Sequence, residues 1–203
     1  MSAIPKLKYS VEEYLKLDQE SEARLEFWDG EIFDMSGVNN EHDQIEGNIF
    51  LHLKLRTKDR GCRVFTANMR IQVPSMPPYR YGDVSALCGI PQYVKVGGVD
   101  ALTNPALIIE VLSDSTESYD RGEKFSHYKS IPDFQEYLLT AHHRPNVSQF
   151  TRQPDGTWIH REFSQLEDVI QLYSLNCELS LREIYENVSF DQPVVNRHLR
   201  TLS

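Results

Sequence analysis

The sequence predicts an α/β (α+β) domain, a mixed β-sheet flanked by helices, with an extra hairpin and a short helix toward the C-terminus. Three observations predict it. Ala106-Leu107-Ile108-Ile109-Glu110-Val111-Leu112 is a nearly continuous apolar run of strand length, as expected for a central strand buried on both faces. A helical stretch from about Asp120 to Ser130 follows, and Glu136 to Thr140 looks like the next strand, which makes a strand-helix-strand unit. Leu25 to Trp28 and Glu31 to Phe33 flank Asp29-Gly30, a strong short-range hairpin signal.

The remaining elements follow in order. Residues 1–9 form an expected N-terminal tail, and Ser10-Val11-Glu12-Glu13 reads as a capping box that starts a short helix through Leu17. Residues 41–57 place Ile45, Ile49, Leu51, Leu53 and Leu55 among good helix formers, so a long helix packs on the sheet with an imperfect apolar stripe. Arg63 to Ala67 and Met69 to Val73 are β-rich, Pro74, Pro77 and Pro78 make an irregular turn, and a strand lies near Asp83 to Leu87. Val147 to Thr151 and Trp158 to Phe163 form a hairpin through Gln153-Pro154-Asp155-Gly156. Val169 to Tyr173 suggests another strand and Ser180 to Asn187 a short capped helix, while 191–203 is a patternless tail. One domain over residues 10–190 accounts for the chain.

With 203 residues, 40% hydrophobic and 25% charged, the composition is that of an ordinary globular protein. No segment approaches the roughly 20 apolar residues needed to cross a bilayer. Met1 to Ser10 carries two lysines without a following apolar segment, unlike a signal peptide. A soluble, cytoplasmic protein with no membrane partner is expected. Cys62, Cys88 and Cys177 are odd in number and widely spaced, which fits neither a disulfide framework nor a zinc site, so all three are expected to be buried or inert thiols. The net charge of -9 opposes a polyanionic partner unless basic residues gather on one face.

Glu110 is the most informative residue, because a carboxylate within so apolar a strand costs several kcal/mol unless it is paired or binds a cation. Asp83 begins another predicted strand, so the two acids can converge at one end of the sheet and hold a hard, oxygen-liganded ion such as Mg²⁺. Lys124 lies on the helix immediately after the Glu110 strand, where an ammonium can reach developing phosphorane charge. Glu26 or Glu31 could add a ligand from the hairpin. Each residue also has a plainer role. Glu110 can pair with a buried Lys or Arg, Asp83 can be a strand-start residue, and Lys124 can form a helical surface pair with Asp120 worth about 0.3 kcal/mol. His42 reads as a cap or solvated side chain, His142-His143 as a loop pair, and Gly30 and Gly122 as turn and helix-start residues. No Gly-rich phosphate loop is present.

The segment from Glu110 through Ser113-Asp114-Ser115 and Arg121-Gly-Glu-Lys124 to Tyr128 resembles the signature of the Uma-two family of restriction-endonuclease-like proteins. Glu26-Phe-Trp-Asp-Gly-Glu31, Glu41-His42 with Asn48, Tyr81-Gly-Asp83, Ile131-Pro132 and Gln135-Glu136-Tyr137 also fit, so the resemblance spans about residues 8–190. That family is similar to the PD-(D/E)XK nucleases, which implies a restriction endonuclease-like core, DNA as substrate and Mg²⁺ or Mn²⁺ as cofactor. By this resemblance Asp83 matches the first acid and Glu110 the second, and both are metal ligands. Three departures stand out. Gly82 replaces the usual Pro, Leu112 occupies the position of the strand lysine, and Ser113-Asp114-Ser115 replaces the more frequent Ser-Pro-Ser. In the family pattern Lys124 offsets the missing strand lysine.

The implied activity is metal-dependent hydrolysis of DNA by Asp83, Glu110 and Lys124, assisted by Glu31 or Glu26. The alternatives are a catalytically idle nuclease-fold module that binds a protein partner or regulates, and a structural homodimer whose acids only pair internally.

Overall fold

The computed structural model of the chain describes residues 8–34, 39–113 and 116–190. The C-terminal tail, most of the N-terminal tail and the Asp114-Ser115 departure lie outside them. Helix α1 (Val11–Glu20) begins on the expected Ser10 capping box and runs one turn beyond Leu17. Strands β1 (Leu25–Trp28) and β2 (Glu31–Asp34) form the hairpin, with Asp29 at φ 44° and Gly30 at φ 81°, the left-handed turn that Asp-Gly favours.

Helix α2 (Asn40–Thr57) is capped by Asn39, whose side chain accepts from the His42 N–H. Its inward face carries Ile45, Ile49 and Leu53 at intervals of four, while Leu51 and Leu55 are 51% and 60% exposed. The imperfect stripe of the sequence thus resolves into three core residues and two on the solvent side.

Six strands make the central sheet: β3 (Cys62–Thr66), β6 (Val84–Cys88), β9 (Leu107–Leu112), β10 (Glu136–Ala141), β11 (Val147–Arg152) and β12 (Trp158–Phe163), in the order β12-β11-β10-β9-β6-β3. Only β9 and β10 pair in parallel, which makes the sheet mixed, as expected. All six residues of β9 are buried. Ile109 and Val111 join the core beneath α2, and Ile108 and Leu112 join the core on the opposite face.

A second sheet of β4 (Arg70–Ile71), β5 (Arg80–Tyr81), β7 (Tyr93–Val96) and β8 (Val99–Leu102) packs near α1 through Tyr14, Tyr79 and Tyr81. No element is predicted between residues 88 and 105. The β7–β8 hairpin there turns on Gly97 and Gly98, both at positive φ.

The connection from β9 to β10 differs from the single helix expected. It is α3 (Glu117–Tyr119), a π-helical turn over Asp120–Lys124, and α4 (Phe125–Tyr128). Beyond β12, β13 (Val169–Leu172), β14 (Cys177–Ser180) and α5 (Leu181–Ile184) close the core beneath α2. Glu136 anchors this extension to the sheet: wholly buried, it accepts from Gln149 and from the backbone N–H groups of Tyr173 and Ser174.

One expectation is corrected. Cys62 and Cys88 are not inert thiols but form a disulfide, because the antiparallel β3–β6 ladder sets them directly opposite each other despite 26 residues of sequence separation. Cys177 is a buried free thiol, as expected.

Helix α5 is tied to α2 by charge. Ser180 and Glu183 form a capping box, and Arg56 Nη2 lies 2.5 Å from Glu183 Oε1. Partial burial opposes charge on Glu183, but Arg56 and the Ser180 donors prevail and hold its pKa at about 2. A depressed folded-state pKa stabilises above the unfolded value of about 4.3 and loses that contribution as pH falls. The melting-temperature gap between the wild type and Glu183→Gln should therefore be widest near neutral pH and close between about pH 4.3 and pH 2. A gap that stays constant across that range would show that Glu183 contributes only packing.

Candidate active site

Glu110 lies on the face of β9 turned toward the α3–α4 connection, where a lone carboxylate is too costly to leave uncompensated. The π-helical turn supplies the compensation. An extra residue in the turn changes which side chains face inward, and Asp120 and Lys124 are both buried there. Lys124 Nζ sits 3.0 Å from Glu110 Oε1 and 3.5 Å from Asp120 Oδ1, with the lysine side chain 2% exposed. Tyr128, one turn on, donates its hydroxyl to Glu110 Oε1 at 3.0 Å. Tyr137 donates to the Asp120 carbonyl at 3.1 Å and fixes the turn from the sheet side.

The electrostatics follow from burial. Loss of solvent pushes the Glu110 carboxyl well above the usual carboxylate range, and Asp120 and Asp83 add to the rise against the pull of Lys124. Burial opposes charge on Lys124 as well, yet Glu110, Glu26 and Asp120 outweigh it and hold the ammonium charged well beyond an ordinary lysine. One cation is thus shared among three acids.

Asp83 precedes β6. The β6–β9 ladder ends at Val84 and Ile109, and beyond it the Asp83 carboxylate accepts the Val111 N–H at 2.7 Å. Its Oδ2 also lies 3.3 Å from His42 Nε2 on α2. Glu46, one turn after His42, completes a group in which one ligand atom each from His42, Glu46 and Asp83 lies within 4.8 Å of the others. Burial works against charge on Asp83, but His42, Lys124 and the Val111 N–H hold its pKa below the ordinary value. Asp83 in turn raises His42 against its own burial, and burial with repulsion from Asp83 raises Glu46.

The structure therefore brings Lys124 to Glu110 rather than to the helix surface; its contact with Asp120 exists but is buried. The plainer alternative, a buried Lys pairing with Glu110, describes the same contact. Glu26 is buried and accepts the Tyr81 N–H at 2.7 Å, close enough to bear on Lys124. Glu31 stands at the turn end of β2 opposite Trp28, half-buried.

His42 is neither solvated nor a cap, and Glu46 has no place in the sequence reading. The available signal was their spacing of four on the face that also carries Ile45 and Ile49. Gly82 is also explained: a Cβ there would lie 2.8 Å from Ile108 Cγ2 and 3.5 Å from Glu110 Oε1. The backbone before Asp83 lies close against the Glu110 site, so a residue without Cβ fits there. His142 keeps to the loop, its Nδ1 2.6 Å from the Leu112 carbonyl.

This chemistry can be set beside known proteins. A solved structure from Anabaena variabilis described as a "putative nuclease belonging to DUF820" superimposes with a TM-score of 0.68 at 19% identity, covering 86% of this chain and 96% of that one; the likeness is one of fold. Two Synechocystis proteins are similar in sequence. One, slr1290, is 31% identical over 90% of this chain and 94% of its own length, and the other, sll1609, is 33% identical over 74% and 84%. The model of the Uma2 family, described as "Putative restriction endonuclease", matches residues 11–182, and the chain belongs to that family.

Proposed function

We propose that the chain is a divalent-metal-dependent endonuclease that hydrolyses DNA phosphodiester bonds, with Asp83 and Glu110 as ligands and Lys124 as the catalytic cation. The observation that carries this reading is the buried Lys124 ammonium 3.0 Å from Glu110, at the end of the strand whose Val111 N–H is held by Asp83. The donors suit a divalent ion. Carboxylates from Asp83, Glu46 and Glu110 favour Mg²⁺ or Mn²⁺, and the His42 imidazole shifts the preference toward Mn²⁺. Such an ion supplies charge neutralisation at the scissile phosphate.

The chain's own residues do the rest. Lys124 carries a fixed positive charge to the reacting phosphate, and Asp120 and Tyr128 hold it and Glu110 in place. Glu26 sustains the charge on Lys124, and Glu31, on the same hairpin, is the other assisting acid in this reading. A second reading is favoured by one contact. Glu110 Oε1 is already engaged by both Lys124 and Tyr128, as it would be in an idle module where the pair serves only the fold.

Two experiments separate these readings. Lys124→Met should lower Mn²⁺- or Mg²⁺-dependent cleavage of plasmid and single-stranded DNA by about 10²–10³-fold. Its ion affinity, measured calorimetrically, should be equal or higher because a nearby positive charge is gone. Asp83→Asn should lose the ion itself. Cleavage by Lys124→Met within tenfold of wild type would overturn the role given to Lys124, and a wild type inert on all nucleic acids with either ion would leave the idle module.

Stability gives the second test. Glu110→Gln leaves the Lys124 ammonium with Asp120 and Glu26 as its remaining acids, and breaking a buried pair typically costs about 3–5 kcal/mol. The Glu110→Gln/Lys124→Met double variant removes both charges and should be the more stable of the two by denaturant titration. A double variant less stable than the single would show that Lys124 still serves Asp120 and Glu26 when Glu110 is neutral.

A further inference from the structure

Beside the Lys124 centre, between the β1–β2 hairpin and α3, opens a cleft of about 390 Å³ lined by Glu26, Trp28, Phe33, Thr116, Ser118, Tyr119 and Glu123. Its size falls in the range of small-ligand pockets. Three aromatic rings form one wall. Trp28 lies 5.5 Å from Tyr119 and 6.1 Å from Phe33 between ring centroids, and Phe33 remains 38% exposed. Among the described residues, the charged side chains lining it are the carboxylates of Glu26 and Glu123.

That lining selects against a phosphate, which two carboxylates would repel, and favours a flat aromatic ligand with hydrogen-bond donors on its edge. Glu26 joins the cleft to the proposed chemistry, because the same buried carboxylate lines the cleft and acts on Lys124. We propose that this cleft takes one unstacked nucleobase bearing an exocyclic amino group, while the adjoining phosphodiester faces Asp83 and Lys124.

Adenine, cytosine and guanine each offer an amino donor to a carboxylate, and thymine does not. A base inside a duplex cannot present its face to a walled cleft, so the substrate is single-stranded or carries a base turned out of the stack. This inference rests on the nuclease reading for its placement of the phosphate, but its test does not use cleavage.

The test is binding by fluorescence anisotropy, in metal-free buffer with chelator, of short labelled single strands of dC, dA or dT and of an abasic strand of equal length. Wild type should bind dC and dA more tightly than dT, and dT more tightly than the abasic strand. Stacking on an aromatic side chain is worth about 1–3 kcal/mol per base, so Trp28→Ala should weaken dC binding by about 5- to 100-fold and leave the abasic strand unaffected. Glu123 is exposed, so Glu123→Gln should leave the fold intact and reduce the dC-over-dT preference several-fold.

Should Trp28→Ala fail to fold, Phe33→Ala reads the same wall from a more exposed position. Equal affinity for dC, dT and abasic strands overturns the proposal, as does a folded wall variant with unchanged dC affinity. Base preference in a protein that cuts nothing would sustain the cleft and sink the nuclease reading; cleavage without base preference would do the reverse.

Discussion

The buried contact between Lys124 and Glu110 is the constraint around which the centre of this protein is arranged. A carboxylate on the inward side of a strand with six buried residues demands a counter-charge, and the nearest segment able to provide one is the connection that follows the strand. Asp120 and Lys124 are four apart, a spacing that sets both side chains on one face of the connection. The π-helical turn at Asp120–Lys124 brings both the lysine and a second acid to Glu110. Tyr128 and Tyr137, each buried and each donating a hydroxyl to this centre, add to the same arrangement, so that Glu110 Oε1 is met by both the Lys124 ammonium and the Tyr128 hydroxyl.

The two faces of β9 divide the acids into two groups. Ile108 and Leu112 face the α3–α4 layer and Ile109 and Val111 face α2, so Glu110, one residue from each of the latter, belongs with Lys124 and Tyr128. Asp83 reaches past the end of the ladder to the Val111 N–H and meets His42 and Glu46 on α2. Gly82 lies between the groups, with space for no side chain. The site is therefore a seam around a strand end, and a ligand that engages both groups must lie across it.

Much of this was legible in the sequence where a single rule governs a short segment. The Asp29-Gly30 turn, the Ser10 cap and the apolar run of β9 each follow from local chemistry, and Glu110 stood out because it violates the pattern around it. Lys124 was found by nearness to that violation and by resemblance. What stayed hidden depends on register. The Cys62–Cys88 disulfide follows only from the β3–β6 pairing, and the approach of His42 and Glu46 to Asp83 follows only once α2 is docked across the sheet. Leu51 and Leu55 misled in the opposite sense, since helix propensity alone does not say which apolar residues turn inward.

Charge links the site to the molecule as a whole. With a net charge of -9, the chain as a whole repels a polyanion at long range. Near the proposed chemistry the positive charge of Lys124 is already committed to Glu110 and Asp120. On the proposed reading, attraction arises at close range, from a divalent ion held by the acids and from contacts indifferent to net charge. Aromatic stacking is such a contact, and the wall formed by Trp28, Phe33 and Tyr119 lies beside the acids. An acidic nuclease built this way would hold its substrate by the base and act on it at the phosphate.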